Sequence, residues 1–145
     1  MLRVRRARQT VRSRHLGSVW TIASVTAAVD GVCRGARAAL ERRGLATHCF
    51  AVDLLLREFL NNAIIHGHRS LRQRRIRAEM RVTCRWIVLR IADRGTGFDW
   101  RGRRREPPDA ASTSGRGMAI GAAYAQQLRF SPRGNAVTLW IGRQG

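Results

Sequence analysis

Between residues 48 and 67 the chain carries a run that only a helix packed over most of its surface accommodates. Drawn as a wheel at about 100° per residue, Ala51, Val52, Leu54, Leu55, Leu56, Phe59, Leu60, Ala63 and Ile65 cover nearly all of it, while Asp53, Arg57 and Asn61 gather in one narrow polar sector. Glu58 and Asn62 break the pattern. They lie one turn apart on the same face, with Ala51, Leu54, Leu55 and Ile65 as angular neighbours. A carboxylate in such surroundings is costly unless something meets it, so the fold must supply a partner for Glu58.

The rest of the chain supplies layers for that helix to pack between. Val19 to Thr21 opens a strand, and Ala27 to Arg43 has alanine and leucine at helical spacing before Gly44, a natural helix terminator. Thr47 offers an N-cap for the apolar helix. Residues 75 to 84 alternate, with Ile76, Ala78, Met80, Val82 and Cys84 on one side, which predicts a strand with one wet face. A second strand from Arg85 to Asp93 puts Ile87, Leu89 and Ile91 on one face, with Asp93 in phase with them at its end. The proline-bearing stretch to Ser114 has no apolar periodicity and reads as a long loop of the kind that forms lids. Gly115 to Gly117 then opens a third helix to about Gln127, and strands over Leu128 to Ser131 and Ala136 to Gly142 flank the turn Pro132 to Asn135. The order strand, two helices, two strands, helix, two strands predicts an α+β fold, a two-layer sandwich with helices on one face of a mixed, mostly antiparallel sheet.

Composition narrows the classes. At 145 residues and 44% hydrophobic, the chain fits one domain with a core that needs no staples. Residues 18–145 are read as that domain, and the arginine-rich residues 1–17 as a flexible basic arm. Three cysteines without paired spacing give no disulfide framework and suit a reducing cytoplasm. No apolar run approaches a membrane span or a secretory signal, so a cytoplasmic protein without membrane contact is expected. The net charge is +19, and all 28 basic residues are arginine. Their scatter through every segment points to coding bias, yet the field still attracts acidic proteins and nucleic acid. No recognition helix and no aromatic-rich strand face is legible, so no specific nucleic-acid partner is expected.

Three features stand in the order a nucleotide site needs: Glu58 and Asn62 on the buried helix, Asp93-Arg94-Gly95-Thr96-Gly97 after a strand, and Gly115-Arg116-Gly117 at a helix start. Singly, each has a plain reading as a hydrogen-bonded pair, a glycine turn or a tight helix entry. Together they divide one task. Asn62 can give an oxygen to Mg2+, which favours oxygen ligands and keeps waters and phosphates, while Glu58 acts as a base. Asp93 can accept from an exocyclic amine, favouring adenine, and Gly95 and Gly97 let the backbone approach the base. Gly115 and Gly117 present amides where the helix dipole favours phosphate.

The segments REFLNNAIIHGH, ADRGTGFD and SGRGMAI, in that order, resemble the N, G1 and G2 boxes of the GHKL ATPases, the group that includes gyrase and histidine kinases. The likeness spans about residues 18 to 142. It implies the Bergerat-type ATP-binding fold, and the small size is most similar to the anti-sigma-factor serine kinases of bacterial partner-switching pathways. From the resemblance Glu58 is the general base, Asn62 holds Mg2+, Asp93 contacts the adenine amine, and Gly95 and Gly97 line the base. Gly115, Arg116 and Gly117 hold phosphates under a lid, Met118 belongs to the ATP-binding set with them, and His66 matches a histidine that often follows the asparagine, although a satisfied core histidine is the commoner role. Asn61 stands where relatives carry a small residue, so it is not assigned to the metal. The lid-like loop carries Arg101, Arg103, Arg104 and Arg105, for which a solvated loop is the default.

The resemblance implies a serine/threonine protein kinase that uses ATP and Mg2+ to phosphorylate a small STAS-domain antagonist. It further implies binding of a sigma factor or equivalent regulator, with a homodimer allowed by analogy. The alternative is an ATP-binding module that sequesters its partner without kinase activity, and Glu58 separates the two.

Overall fold

The computed structural model describes residues 3–6, 16–67, 75–93 and 113–144, with side chains at 17–65, 75–93 and 119–144. Six strands form one sheet: β1 (Arg3–Arg6), β2 (Leu16–Ala23), β3 (Arg75–Val82), β4 (Trp86–Ala92), β5 (Gln127–Phe130) and β6 (Ala136–Gly142). Their order across the sheet is β1-β2-β3-β4-β6-β5. Every pairing is antiparallel, so the expectation of a mixed sheet is corrected to a fully antiparallel one among the described residues. Three helices, α1 (Val29–Arg42), α2 (Cys49–Asn62) and α3 (Thr113–Tyr124), complete an α+β, two-layer fold.

Alternation on the strands decides which face the helices cover. Trp20 and Ile22 of β2, Ile76, Ala78, Met80 and Val82 of β3, Ile87, Leu89 and Ile91 of β4, and Val137, Leu139 and Ile141 of β6 are all buried. They form one core with Val32, Ala36 and Leu40 of α1 and Leu55, Leu56, Phe59 and Leu60 of α2. Each fully buried leucine or isoleucine in that layer contributes roughly 1.5–3 kcal/mol by leaving water. The intervening strand residues face the other way.

Three local expectations change. Arg3–Arg6, inside the segment read as a flexible arm, pair with Ser18 to Thr21 as an edge strand, and β2 begins at Leu16; residues 7–15 lie outside the described residues. The predicted Thr47 cap is not made. Ala46–His48 form a 3-10 turn, and α2 starts without a side-chain cap bond. The third helix begins at Thr113, not Gly115, and ends at Tyr124. Gly44 does end α1 as read, with φ of 69°, a left-handed backbone that only glycine adopts without strain.

The polar sector of α2 is explained by α1. Arg57 donates from Nε to Asp53 one turn back, 2.9 Å away, and from its terminal nitrogen to Asp30 on α1. This guanidinium bridge holds the Asp30 carboxyl below its usual range and the Arg57 guanidinium above its own. It lies on the α1 side of α2, away from Glu58 and Asn62.

Candidate nucleotide site

Two anchors set the direction of α2 over the sheet. His48, just before the helix, donates from Nε2 to the carbonyl of Arg143, 3.1 Å away, beyond the end of β6. There β6 meets the beginning of β4, with Gly142 opposite Trp86. An α2 of 14 residues is about 21 Å long and a β4 of seven residues about 23 Å. Starting together and sharing core contacts, they end together. The C-terminal end of α2, with Asn62, therefore overlies the end of β4, with Asp93.

α3 runs the opposite way. Phe50 at the start of α2 meets Tyr124 at the end of α3, ring centroids 5.9 Å apart and edge on. Farther along α2, Phe59 packs over Gly121, where an added Cβ would lie 3.4 Å from Phe59 Cζ and 2.6 Å from Leu128 Cδ1. Stepping back along α3 means stepping forward along α2. Gln126, just past α3, donates its backbone N–H to Trp140 and accepts from the Gly142 N–H through its side chain, which ties that end to the β6 terminus. The N-terminus of α3 consequently faces the end of the sheet where α2 and β4 finish.

The expected residues can now be placed. Glu58 and Asn62 are both half-buried, and neither makes a hydrogen bond or ion pair among the described residues. The sequence reading had Glu58 enclosed by apolar neighbours; instead it lies on the flank of the buried stripe, partly open, and its carboxylate is available. Directly after Asn62 the helix widens into a π turn, Ala63–Gly67, a distortion frequent at functional sites. His66 sits in that turn, with its side chain outside the described residues.

Asp93 is half-buried at the first position past β4. Its backbone is clamped by Asn135 from the β5–β6 turn: Asp93 N–H donates to the Asn135 carbonyl at 2.8 Å, and Asn135 Nδ2 donates to the Asp93 carbonyl at 3.3 Å. Ser131 Oγ donates in turn to Asn135 Oδ1 at 2.9 Å. Asn135 and Ser131 are positioning residues that the sequence reading passed over as turn formers. The asparagine at the last turn position before a strand, matched to a serine four residues earlier, was the available signal.

Gly115, Arg116, Gly117 and Met118 lie in the first turns of α3. An α-helix that begins at Thr113 leaves the amides up to residue 115 without intrahelical partners. Of the two glycines expected to offer amides, Gly115 falls among these free positions, whereas Gly117, like Arg116, falls within the helical ladder. Gly95, Gly97 and the arginines of the lid-like loop lie outside the described residues.

One end of the sandwich therefore unites a carboxylate, an unpartnered amide, a clamped aspartate at a strand end and a helix N-terminus that favours anions. No cluster of three or more His, Cys, Asp or Glu that could hold a metal by itself occurs among the described residues. A cation here would need oxygens from a bound phosphate and water beside the Asn62 amide, which is how Mg2+ is commonly held. This defines a two-layer α/β domain with a candidate nucleotide site at one end of its sheet. The sequence profile of the histidine kinase-like ATPase domain matches residues 22–141, and the chain belongs to that family of GHKL-type ATPases. It is an ATP-using, kinase-like domain. No curated protein is matched in its own right. Among the described residues no helix is long and apolar enough to cross a membrane.

Proposed function

We propose that this domain is a serine/threonine protein kinase and anti-sigma-type regulator, which phosphorylates a STAS-domain antagonist and binds a sigma factor or equivalent regulator in a cytoplasmic partner switch. The observation that supports the reading is the pair Glu58 and Asn62, half-buried and without partners among the described residues, toward the end of α2 to which the antiparallel α3 directs its N-terminus. A structural pair on α2 would be bonded to its neighbours, as Asp53 and Arg57 are.

In this reading the α3 amides and the dipole behind them hold the phosphates, and Asp93, fixed by Asn135, accepts from the adenine amine. The Asn62 amide oxygen would hold Mg2+, which when bound would neutralise charge on the phosphates. Glu58 accepts the proton of the acceptor serine hydroxyl as its oxygen bonds to the γ-phosphorus and the bond to the β–γ bridging oxygen breaks, leaving ADP. Positioning and electrostatics do most of this work, so the half-open flank around Glu58 fits a hydroxyl arriving on another protein.

Incubation with labelled ATP, Mg2+ and a candidate STAS-domain protein tests the assignment. Glu58→Gln should keep nucleotide affinity and lose transfer by roughly 10²–10⁴-fold, and Asn62→Ala should lose both. A sequestering module without kinase activity is the reading left if wild type binds ATP and partner yet transfers nothing. Absence of any affinity for adenine nucleotides with Mg2+ removes the whole assignment.

A further inference from the structure

The face of the sheet turned away from the helices is uncovered by any described helix, and its residues are not a random sample of the surface. In phase along β3 stand Arg75, Arg77, Glu79 and Arg81; along β4, Trp86, Val88 and Arg90; along β6, Thr138 and Trp140; along β5, Gln127 and Arg129. The register joins them into rows. Glu79, Arg90, Thr138 and Arg129 lie directly opposite one another, and so do Arg81, Val88, Trp140 and Gln127. Trp86, two residues before Val88, is the diagonal neighbour of Trp140.

Charge on this face is almost entirely of one sign. Glu79 is its single acid among the described strand residues, and it accepts from Arg77 Nε. Arg75, Arg81, Arg90 and Arg129 are exposed, and none has an acidic partner among the described residues. By contrast Asp30, Glu41, Asp53 and Glu58 all lie on the helical layer. The helical layer thus has acids to balance its arginines, as Asp30 and Asp53 do for Arg57, whereas the open sheet face has Glu79 alone. The aromatic content is also assembled by the fold. Trp86 and Trp140 are only half-buried, and the Arg129 guanidinium stands 5.8 Å over the Trp140 ring.

We infer that this open face binds single-stranded nucleic acid without sequence specificity, its arginines taking phosphates and its two tryptophans taking unstacked bases. Unneutralised arginines on neighbouring strands match a polyanion that crosses the sheet, and the half-buried indoles of Trp86 and Trp140 offer stacking edges and faces that every base can use, Arg129 moving from the Trp140 ring to a phosphate. A duplex keeps its base faces hidden and gains only the charge contacts. A second copy of this chain would oppose arginine to arginine. A folded acidic protein is favoured less, because it presents scattered carboxylates, whereas a single strand presents one phosphate per nucleotide along the rows that hold Arg81, Arg90 and Arg129. The surface lies on the far side of the sheet from the helical layer, so it is separable from nucleotide binding.

The test is fluorescence anisotropy of the full chain with a labelled oligothymidylate of about 20 nucleotides, the matching duplex, and inorganic polyphosphate as competitor, across about 50–200 mM salt. Single strand is expected to bind at least about tenfold tighter than duplex, with affinity falling linearly on a log–log salt plot. Arg81→Glu with Arg90→Glu should weaken binding at least tenfold while ATP affinity holds. Trp140→Leu should weaken it at least about fivefold and remove part of the tryptophan quenching seen on binding. Equal binding of duplex and single strand, polyphosphate competing as well per charge as the oligonucleotide, or binding untouched by Arg81→Glu with Arg90→Glu would each overturn the inference. Should the tryptophan variant be unstable, the arginine pair, both exposed, decides alone.

Discussion

Replacing Gly35 by alanine tests whether the helical layer is packed as described. Gly35 sits inside α1, and a Cβ there would stand 2.7 Å from Trp20 Nε1 and 3.2 Å from both Cε2 and Cζ2. Alanine in place of glycine within a helix is worth about 1 kcal/mol of stability. Against this, Trp20 is rigid and only 1% exposed, so the ring cannot step aside into water. Overpacking of a filled core costs about 1–3 kcal/mol. The net expectation is a loss of about 1 kcal/mol, a fall of about 4 °C in Tm for a chain of this size. Trp20→Phe removes the very atoms that Cβ meets, along with an indole N–H that has no acceptor among the described residues. In a double-mutant cycle by urea denaturation, Gly35→Ala should therefore cost less, or stabilise, in the Trp20→Phe background. A Gly35→Ala protein more stable than wild type by the full helix-propensity gain, with no coupling to position 20, would refute the packing of α1 on β2.

Asp30→Asn should destabilise relative to wild type at neutral pH. The folded Asp30 carboxyl is held below its ordinary value of 3.8 by Arg57, so that contribution is present above this pH and is lost as pH falls through the lower folded value. The gap between the urea midpoints of the two proteins should close in acid. Cys33 is buried with its thiol pushed up to about 12, and burial raises Cys49 too. Iodoacetamide with peptide mapping should therefore label exposed Cys84 in the native protein and reach the other two only on unfolding. Asn135→Ala should weaken ATP binding, read by calorimetry, while costing about 1 kcal/mol in stability, because it releases the clamp on Asp93. Unchanged nucleotide affinity would dissociate that clamp from the site.

The elements with strong periodicity were legible in the chain itself: α2 from its apolar circumference, β3 and β4 from alternation, and the α1 stop from Gly44. What sequence spacing could not convey was pairing across long separations. Nothing local marks Arg3–Arg6 as a strand, since its residues gain their ladder only from β2. Trp86 and Trp140 look isolated until the β4–β6 register sets them diagonally together. At the site, Glu58, Asn62 and Asp93 stand out as charges or amides against apolar patterns, and the fold brings their elements to one end. The burial of Glu58 was overread, because a wheel ranks neighbours by angle and cannot say which flank a second layer leaves open. Asn135 was missed for the opposite reason, being an ordinary turn residue whose importance lies in a backbone 42 positions away.

Gly121 gives the domain a gauge. Because it has no side chain, α3 comes close to Phe59 of α2 and Leu128 of β5, with no room left for a Cβ beside the Leu128 methyl. The seating of α3, and with it the position of its amino end about two turns away, thus depends on one missing methyl group. Larger residues at this single position offer a graded wedge between α3, α2 and β5 that leaves Glu58, Asn62 and Asp93 untouched.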